Sequence, residues 1–340
     1  MSPDLVCRAA VEAPKALVEC TRVAEPRLRE YVEEKIREME GLPVALGEVA
    51  AALNDYLFRG GKRLRGALVM IGHEAAGRTR EGAVEAAVGV ELLHAYLLIH
   101  DDYMDQDDVR RGGPTLHRAL GGDHLAASLA LLCGSLCEAW AYQLLGASAP
   151  LAARTLERVI LGQMADLKAP RDRELSAREV LEVERAKTGS YTFELPLHLG
   201  ATLAGARTPL LEALSGYARP LGMAFQIADD LLGTFGSPDV TGKANSSDLR
   251  EGKRTLIIAR ALESASAKDA ARLRSQLGRP DADVDELREI LRRSGAETSA
   301  RAEADRLCDE ALRALESSLL PRHTAGTLRE IALYALHRAS

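Results

Sequence analysis

Apolar residues return every three to four positions along most of this 340-residue chain. That period admits helices and little else. Residues 25–40 read as a charged amphipathic helix. Val84, Val88, Leu92 and Tyr96 form one stripe, with Leu93 and Leu97 beside it. Local signals frame further segments. Ser176 with Glu179 makes a capping box that opens 177–192. Thr208 before Pro209 reads as an N-cap with proline at the first helical position. Asp283 with Glu286 opens 284–293, and Ser294-Gly295 closes it. No convincing period-two alternation, Asn-Gly hairpin signal, short repeat or low-complexity linker occurs. The prediction is one all-α domain over residues 1–340, with ten or more helices.

Composition removes several classes. At 46% hydrophobic and 28% charged, the chain can bury a core and is not disordered. The net charge of −6 argues against a nucleic-acid binder held by bulk charge. Aromatics make up 4%, too few for a base-stacking platform or a typical β-sandwich. The five cysteines are odd in number and scattered, with no disulfide or zinc spacing. Cys133 and Cys137, one turn apart in an apolar run, read as buried core residues, and a reducing cytoplasm fits. The N-terminal stretch lacks a signal-peptide pattern. The longest uncharged apolar run, Leu125–Cys137, is short of the roughly 20 residues that span a bilayer. A soluble protein is expected, touching membrane only through a substrate or product.

Three breaks carry charge with their glycines: 59–65, 110–114 and the long polar stretch 233–253. A loop of that last length usually serves function. Asp101 and Asp105 share one face at the C-terminal end of an apolar helix. There like charges repel each other and meet the negative helix terminus. Such an arrangement calls for a cation, and carboxylates without imidazole or thiolate favour Mg²⁺. Asp229-Asp230 repeats the pattern, with Gln226 on the same face as Asp229. Two such helix ends facing each other could hold several Mg²⁺ ions bridged by a polyphosphate. Lys62, Arg65, Arg110, Arg111, Lys187, Lys243 and Lys253 are cations suited to phosphate. Singly each reads as a surface charge; together with the aspartates they suggest a diphosphate site.

In this order, these residues resemble the trans-isoprenyl diphosphate synthase (polyprenyl synthetase) family. The match runs from Gly60-Gly-Lys-Arg-x-Arg65 through Asp101–Asp105, Arg110-Arg111-Gly112, Lys187-Thr188 and Phe225-Gln-x-x-Asp-Asp230 to Gly242-Lys243 and Lys253-Arg254-Thr255. The motif-bearing core is about 55–260. The resemblance implies a helical bundle around a deep central cavity, usually a homodimer, with the isoprenoid synthase fold. It implies head-to-tail condensation of isopentenyl diphosphate with an allylic diphosphate. It also implies three Mg²⁺ ions, with Mn²⁺ as a substitute. By the same resemblance Asp101, Asp105 and Asp229 are metal ligands supported by Asp102 and Asp230. Arg110, Lys187, Lys243 and Lys253 contact the allylic diphosphate. Lys62, Arg65, His94 and Arg111 form the isopentenyl diphosphate pocket. Thr188 and Gln226 supply dipoles facing a carbocation.

Two departures stand out. The second motif reads Asp229-Asp230-Leu231-Leu232-Gly233, so its usual third aspartate is missing. Asp107 and Asp108 add carboxylates after the first motif and are expected at its rim. Tyr96, five before Asp101, with Leu97 and Leu93, should floor the cavity and set product length. A C20 product, geranylgeranyl diphosphate, is expected slightly ahead of the C15 farnesyl diphosphate. A terpene cyclase would not need the Lys62–Arg65 pocket or the second Asp-Asp motif. A silent regulatory subunit should have lost aspartates. A di-iron bundle would need Glu-x-x-His ligands that are absent at suitable positions.

Overall fold

Helix α1 spans Lys15–Glu40, ten residues longer at its start than the charged stretch predicts. It is the first element of a computed structural model that describes residues 12–172, 174–236, 247–316 and 319–338. Among the described residues the only strands are Val109–Arg110 and Gly113–Pro114, a two-residue antiparallel ladder. The expected absence of period-two structure therefore fails only at the 110–114 break, which is a tight hairpin.

The chain divides into two compact units. One holds 15–150 and 196–206. After α1 it contains α2 (Gly47–Phe58), α3 (Leu64–Ala75), α4 (Val84–Met104), α5 (Leu116–Ala119) and α6 (His124–Leu145). Helix α4 is buried on nearly all sides until its acidic end, as an apolar helix without a polar face must be. It packs along α3 and α6. Gly134 of α6 makes room for α4: a Cβ there would lie 2.5 Å from the His100 ring.

The other unit holds 151–195 and 207–340. Helix α7 is Ala149–Asp172 and α8 is Ala177–Glu184, opened by the expected Ser176/Glu179 capping box. The predicted helix 177–192 does not stay α-helical: Arg185–Glu194 widens to a π-helix, and α9 (Leu195–Leu203) continues from it. Helix α10, Thr208–Phe235, starts at its predicted cap, one residue earlier than expected, with Arg207 at the N-cap and Pro209 in its first turn. Next come α11 (Ser247–Glu251), α12 (Leu256–Ser264), α13 (Ala267–Gln276), α14 (Val284–Arg293), α15 (Ala296–Glu316) and α16 (Arg322–Arg338). Asp283 caps α14 by accepting from the Glu286 amide, as read from sequence. The predicted loop 233–253 is helical at both ends, inside α10 to Phe235 and again over α11. Its middle, 237–246, lies outside the described residues.

Two stretches, Arg80–Met104 and His124–Ala169, are long and apolar enough to cross a bilayer by length and composition. Both tolerate an occasional charge, so neither stands out as an uncharged run. In the first, 67% of the window is buried within the protein, the setting of a core helix.

Candidate functional site

The first aspartate pair ends α4, and its two members differ. Asp101 is partly exposed, while Asp102 is 0% exposed. Both Asp102 oxygens are engaged: Tyr56 on α2 donates to Oδ2 at 2.7 Å, and Arg110 Nε donates to Oδ1 at 2.6 Å. Burial pushes the Asp102 pKa up, and Arg110 opposes it. Asp102, expected among the metal residues, thus lies beneath the acidic helix end and holds Arg110. Arg110 also reaches Asp107 at 3.0 Å and Asp101 at 4.0 Å. Asp105 closes the helix, its amide donating to the Asp101 carbonyl at 2.8 Å. Asp108 pairs with Arg118 at 2.7 Å. Asp107 and Asp108 therefore answer arginines.

The basic loop before α3 is wound tightly. Gly60, Gly61 and Arg63 have φ of 66°, 108° and 49°. Only the first two avoid the side-chain penalty of that region. Arg63 is held there by Glu25 at 2.7 Å and the Leu57 carbonyl at 2.9 Å, with Glu91 at 3.8 Å. Glu91 also accepts from the Gly66 amide at 2.8 Å, pinning α3 to α4. Arg111, also at positive φ (51°), donates to the Gly60 carbonyl at 3.4 Å. Arg59 donates to the Pro114 carbonyl at 2.7 Å, tying the hairpin to the same loop. Such local strain is held where surrounding contacts over-determine it, and clusters at functional sites.

His94, two turns before Asp101, meets Arg65 Nη1 at 3.1 Å through Nε2. Arginine can only donate, so Nε2 accepts and the ring proton sits on Nδ1. Burial, then Arg65, Arg111, Arg110 and Arg63, hold the His94 pKa well below its usual value. Burial and Arg63 also lower that of Arg111. A neutral histidine among arginines marks a cationic recess that favours an anion. Lys62 is exposed on the same loop. Tyr96 is 8% exposed and stacks edge-to-face on His100 at 4.6 Å; Leu93 is 0% exposed and Leu97 is half-buried.

The second pair lies on α10 and repeats the asymmetry. Asp229 is exposed and Asp230 is 7% exposed. Gln226 Nε2 donates to Asp230 Oδ1 at 2.8 Å, while Oδ2 is buried without a hydrogen-bond partner. Glu184, at the end of α8, lies against Asp230. Burial drives both pKa values upward, and that of Glu184 is pushed up to about 7. Lys187 and Thr188 sit on the π-helix. Lys187 pairs with Asp166 of α7 at 2.8 Å. Glycines let these elements close: a Cβ at Gly222 would lie 2.5 Å from the Gly189 carbonyl, and one at Gly162 would lie 2.6 Å from the Lys187 amide. A π-helix of this kind is commonly a functional feature. Lys253 meets Glu251 at 2.9 Å and Asp248 at 3.5 Å. Lys243 lies outside the described residues.

Tyr56, Glu91, Asp166, Glu184 and Asp248 escaped the sequence reading. A capping box marks the helix that ends at Glu184 but says nothing of its partner. The other four carry no local signal: Glu91 meets Gly66 at a separation of 25 residues, Tyr56 meets Asp102 at 46 and Asp166 meets Lys187 at 21, while Asp248 lies in a polar stretch that reads as loop. No three His, Cys, Asp or Glu side chains among the described residues converge as a metal cage. Mg²⁺ characteristically takes few protein carboxylates and completes its shell with phosphate oxygens and water.

The family profile "Polyprenyl synthetase" matches residues 47–293. A (2E,6E)-farnesyl diphosphate synthase of Mycobacterium tuberculosis is 36% identical over 292 residues, covering 82% of this chain and 80% of that protein. A geranylgeranyl diphosphate synthase of Methanosarcina mazei is 36% identical over 244 residues, 68% of this chain and 73% of that protein. Among solved structures, geranylgeranyl pyrophosphate synthase from Corynebacterium glutamicum, complexed with isoprenyl diphosphate and magnesium, superposes with a TM-score of 0.87. It is 32% identical and covers 96% of this chain and 100% of that one.

Proposed function

The chain belongs to the polyprenyl synthetase family and is a short-chain trans-prenyltransferase of the isoprenoid synthase fold, and from that premise we propose that it makes geranylgeranyl diphosphate. Its substrates are isopentenyl diphosphate and an allylic diphosphate of C5 to C15. Farnesyl diphosphate is the second reading, favoured by the name of the Mycobacterium relative. The observation that carries the proposal is the end of α4. There Asp101 and Asp105 stand over a buried Asp102 locked by Tyr56 and Arg110, beside the Arg65–His94 recess.

The donor set fits Mg²⁺: all candidate ligands are carboxylate oxygens, and one buried oxygen, Asp230 Oδ2, lacks a protein partner. Asp101, Asp105 and Asp229 would hold the ions, three in this reading, with Asp230 in support. Bound Mg²⁺ would supply neutralisation of the departing diphosphate. Arg110, Lys187, Lys253 and Lys243 bind that diphosphate and stabilise its charge as the allylic C–O bond breaks. Gln226 donates to Asp230 through its amide nitrogen, which leaves its carbonyl dipole for the carbocation beside Thr188. Lys62, Arg65, His94 and Arg111 hold isopentenyl diphosphate, whose double bond attacks the cation before a proton is lost. Tyr96, with Leu97 and Leu93, limits chain length.

The reading includes a single domain over 1–340 acting as a homodimer in the cytoplasm. Leu125 and Leu132, 65% and 61% exposed on α6, support a second copy as their cover. The four described cysteines are buried and unpaired, which supports a reducing compartment. The test is incubation of the purified chain with isopentenyl diphosphate, Mg²⁺ and C5, C10 or C15 primers. A C20 prenyl diphosphate is expected. Absence of any elongation, or full activity of Asp101→Ala, overturns the assignment.

A further inference from the structure

Tyr96 and His100 stand four apart on α4 and so share one helix face. Their rings meet edge-to-face, with centroids 4.6 Å apart and planes at 63°, a favoured aromatic geometry. The histidine is itself held from α6. His100 Nε2 lies 3.1 Å from the Leu131 carbonyl, and a carbonyl only accepts, so Nε2 carries the proton and donates. Gly134, three residues further along α6, leaves the ring its place: a Cβ there would lie 2.5 Å from His100 Cδ2 and 2.7 Å from Nε2. Gly134 lies inside α6 and not at positive φ, so its backbone does not call for glycine; the ring does. Burial, then Glu138 and Tyr142 of α6, raise the Tyr96 pKa, which places the phenol near that helix as well. All of these residues belong to one compact unit.

We propose that His100 is a positioning residue for product length: seated in the gap at Gly134 and tied to the Leu131 carbonyl, it fixes the Tyr96 ring in the pose that stops the growing prenyl chain. The inference rests on the reading of Tyr96 as the floor. A tyrosine floor works only if its ring stays in place. The backbone of α4 sets where the side chain starts, but rotation about its first two torsions decides where the ring lies. A growing apolar chain that presses on an unsupported ring selects whichever rotamer gives it room. His100 fills the space beside the ring on α4, and α6 holds His100. Chain length is then set by three residues in series, Gly134, His100 and Tyr96, of which only the last reads as a floor from sequence. The arrangement also gives His100 a role of its own. It directly precedes Asp101, yet its hydrogen bond goes to α6 and not to a carboxylate of the acidic helix end.

The experiment gives the purified enzyme isopentenyl diphosphate, a C5 primer and Mg²⁺ at fixed concentrations and separates the dephosphorylated alcohols at matched low conversion. The readout is the ratio of longer to parent product, because a merely structural loss changes rate or melting temperature and leaves this ratio alone. His100→Ala removes ring and donor together and should raise the ratio about tenfold, the scale of one aromatic contact and one hydrogen bond lost. Gly134→Ala presses on the ring from α6 and should change the ratio too. Two pairings test the series. Added to Tyr96→Ala, His100→Ala should change nothing further; added to His100→Ala, Gly134→Ala should change nothing further. In each case the side chain acted upon is gone. Melting curves establish that each variant is folded. If Tyr96→Ala lengthens the product but folded His100→Ala gives the parent distribution, the proposal is wrong. Should His100→Ala turn over too slowly to read, Gly134→Ala, not adjacent to Asp101, decides by the same criterion. The proposal is equally wrong if His100→Ala lengthens the product as much with Tyr96→Ala as without it, which would make the two residues independent. If Tyr96→Ala itself leaves product length unchanged, the floor reading fails first and takes this one with it.

Discussion

Tyr56→Phe isolates one hydrogen bond beneath the acidic end of α4. Tyr56 is 5% exposed and Asp102 is 0% exposed, so the change removes a single oxygen from a dry site and keeps the ring. Asp102 Oδ2 then loses its 2.7 Å donor, while Arg110 Nε still serves Oδ1. Leaving a buried charged acceptor short of a donor costs about 2 kcal/mol. The compact unit that contains both residues has roughly 150 residues, for which the unfolding entropy near 60 °C is roughly 0.3 kcal/mol per kelvin. The melting midpoint should therefore fall by about 6 °C. Function should move too. Asp102 is the deepest anchor of Arg110, so KM for the allylic diphosphate should rise more than KM for isopentenyl diphosphate. Asp102→Asn should cost more, about 3–5 kcal/mol, because it strips Arg110 of its buried counter-charge. Differential scanning fluorimetry and steady-state kinetics with one substrate varied at a time provide both readings. A Tyr56→Phe midpoint within about 1 °C of the parent, with both KM values unchanged, would refute the claim that this bond organises the site.

Tyr96→Ala should lengthen the product by at least one C5 unit, read by chromatography of the dephosphorylated alcohols; an unchanged product removes Tyr96 as the floor. His94→Gln should flatten the acid limb of the stability profile. The folded state holds the His94 pKa down, so below the unfolded value of about 6.5 the unfolded chain takes up a proton that the folded chain refuses. Stability then falls with decreasing pH by up to about 1.4 kcal/mol per unit. Denaturant melts at pH 7.5 and 5.5 should show a smaller difference in the variant than in the parent. Gly222→Ala should destabilise by about 1–3 kcal/mol and lower kcat, since its Cβ would press on the Gly189 carbonyl in the π-helix that carries Lys187 and Thr188. A fully active, equally stable Gly222→Ala protein would show that this close approach is dispensable.

Much of the architecture was legible because helices write themselves locally. The Ser176/Glu179 capping box and the Asp283 cap stand as read. The π-helix was not legible. It packs against α10 through the close approach of Gly189 to Gly222, thirty-three residues on, and no local period records that. The site was half legible for a related reason. Charged residues at a helix end announce themselves, so Asp101, Asp105, Asp229 and Arg110 could be named from spacing. Tyr56, Glu91 and Glu184 could not, since a tyrosine or glutamate on an amphipathic helix reads the same whether its tip meets water or a buried aspartate.

The sequence also presented the two aspartate pairs as equivalent, and the structure separates them. Each places its first aspartate outward and buries its second, which explains how a helix tolerates two adjacent like charges; the second pair also lies more than a turn before the end of its helix. The means of tolerance differ. Asp102 is compensated by a cation, Arg110, and by a phenol. Asp230 is met by an amide, Gln226, and by two further carboxylates, Glu184 and Asp248. At the first site one arginine stands among Asp101, Asp102 and Asp107, which reduces the negative charge there without cancelling it. The second gathers carboxylates about a buried oxygen that no protein donor reaches. Once Glu184 and Asp230 are ionised, above their raised pKa values, Coulomb attraction for an added divalent cation is the stronger at the second site, and removing a carboxylate there should cost more metal affinity than removing one at the first. The order of loss in Mn²⁺ titrations of Asp248→Asn and Asp107→Asn, at a pH where Glu184 is ionised, decides the point: equal losses would mean that Arg110 does not weaken the first site's pull on a cation.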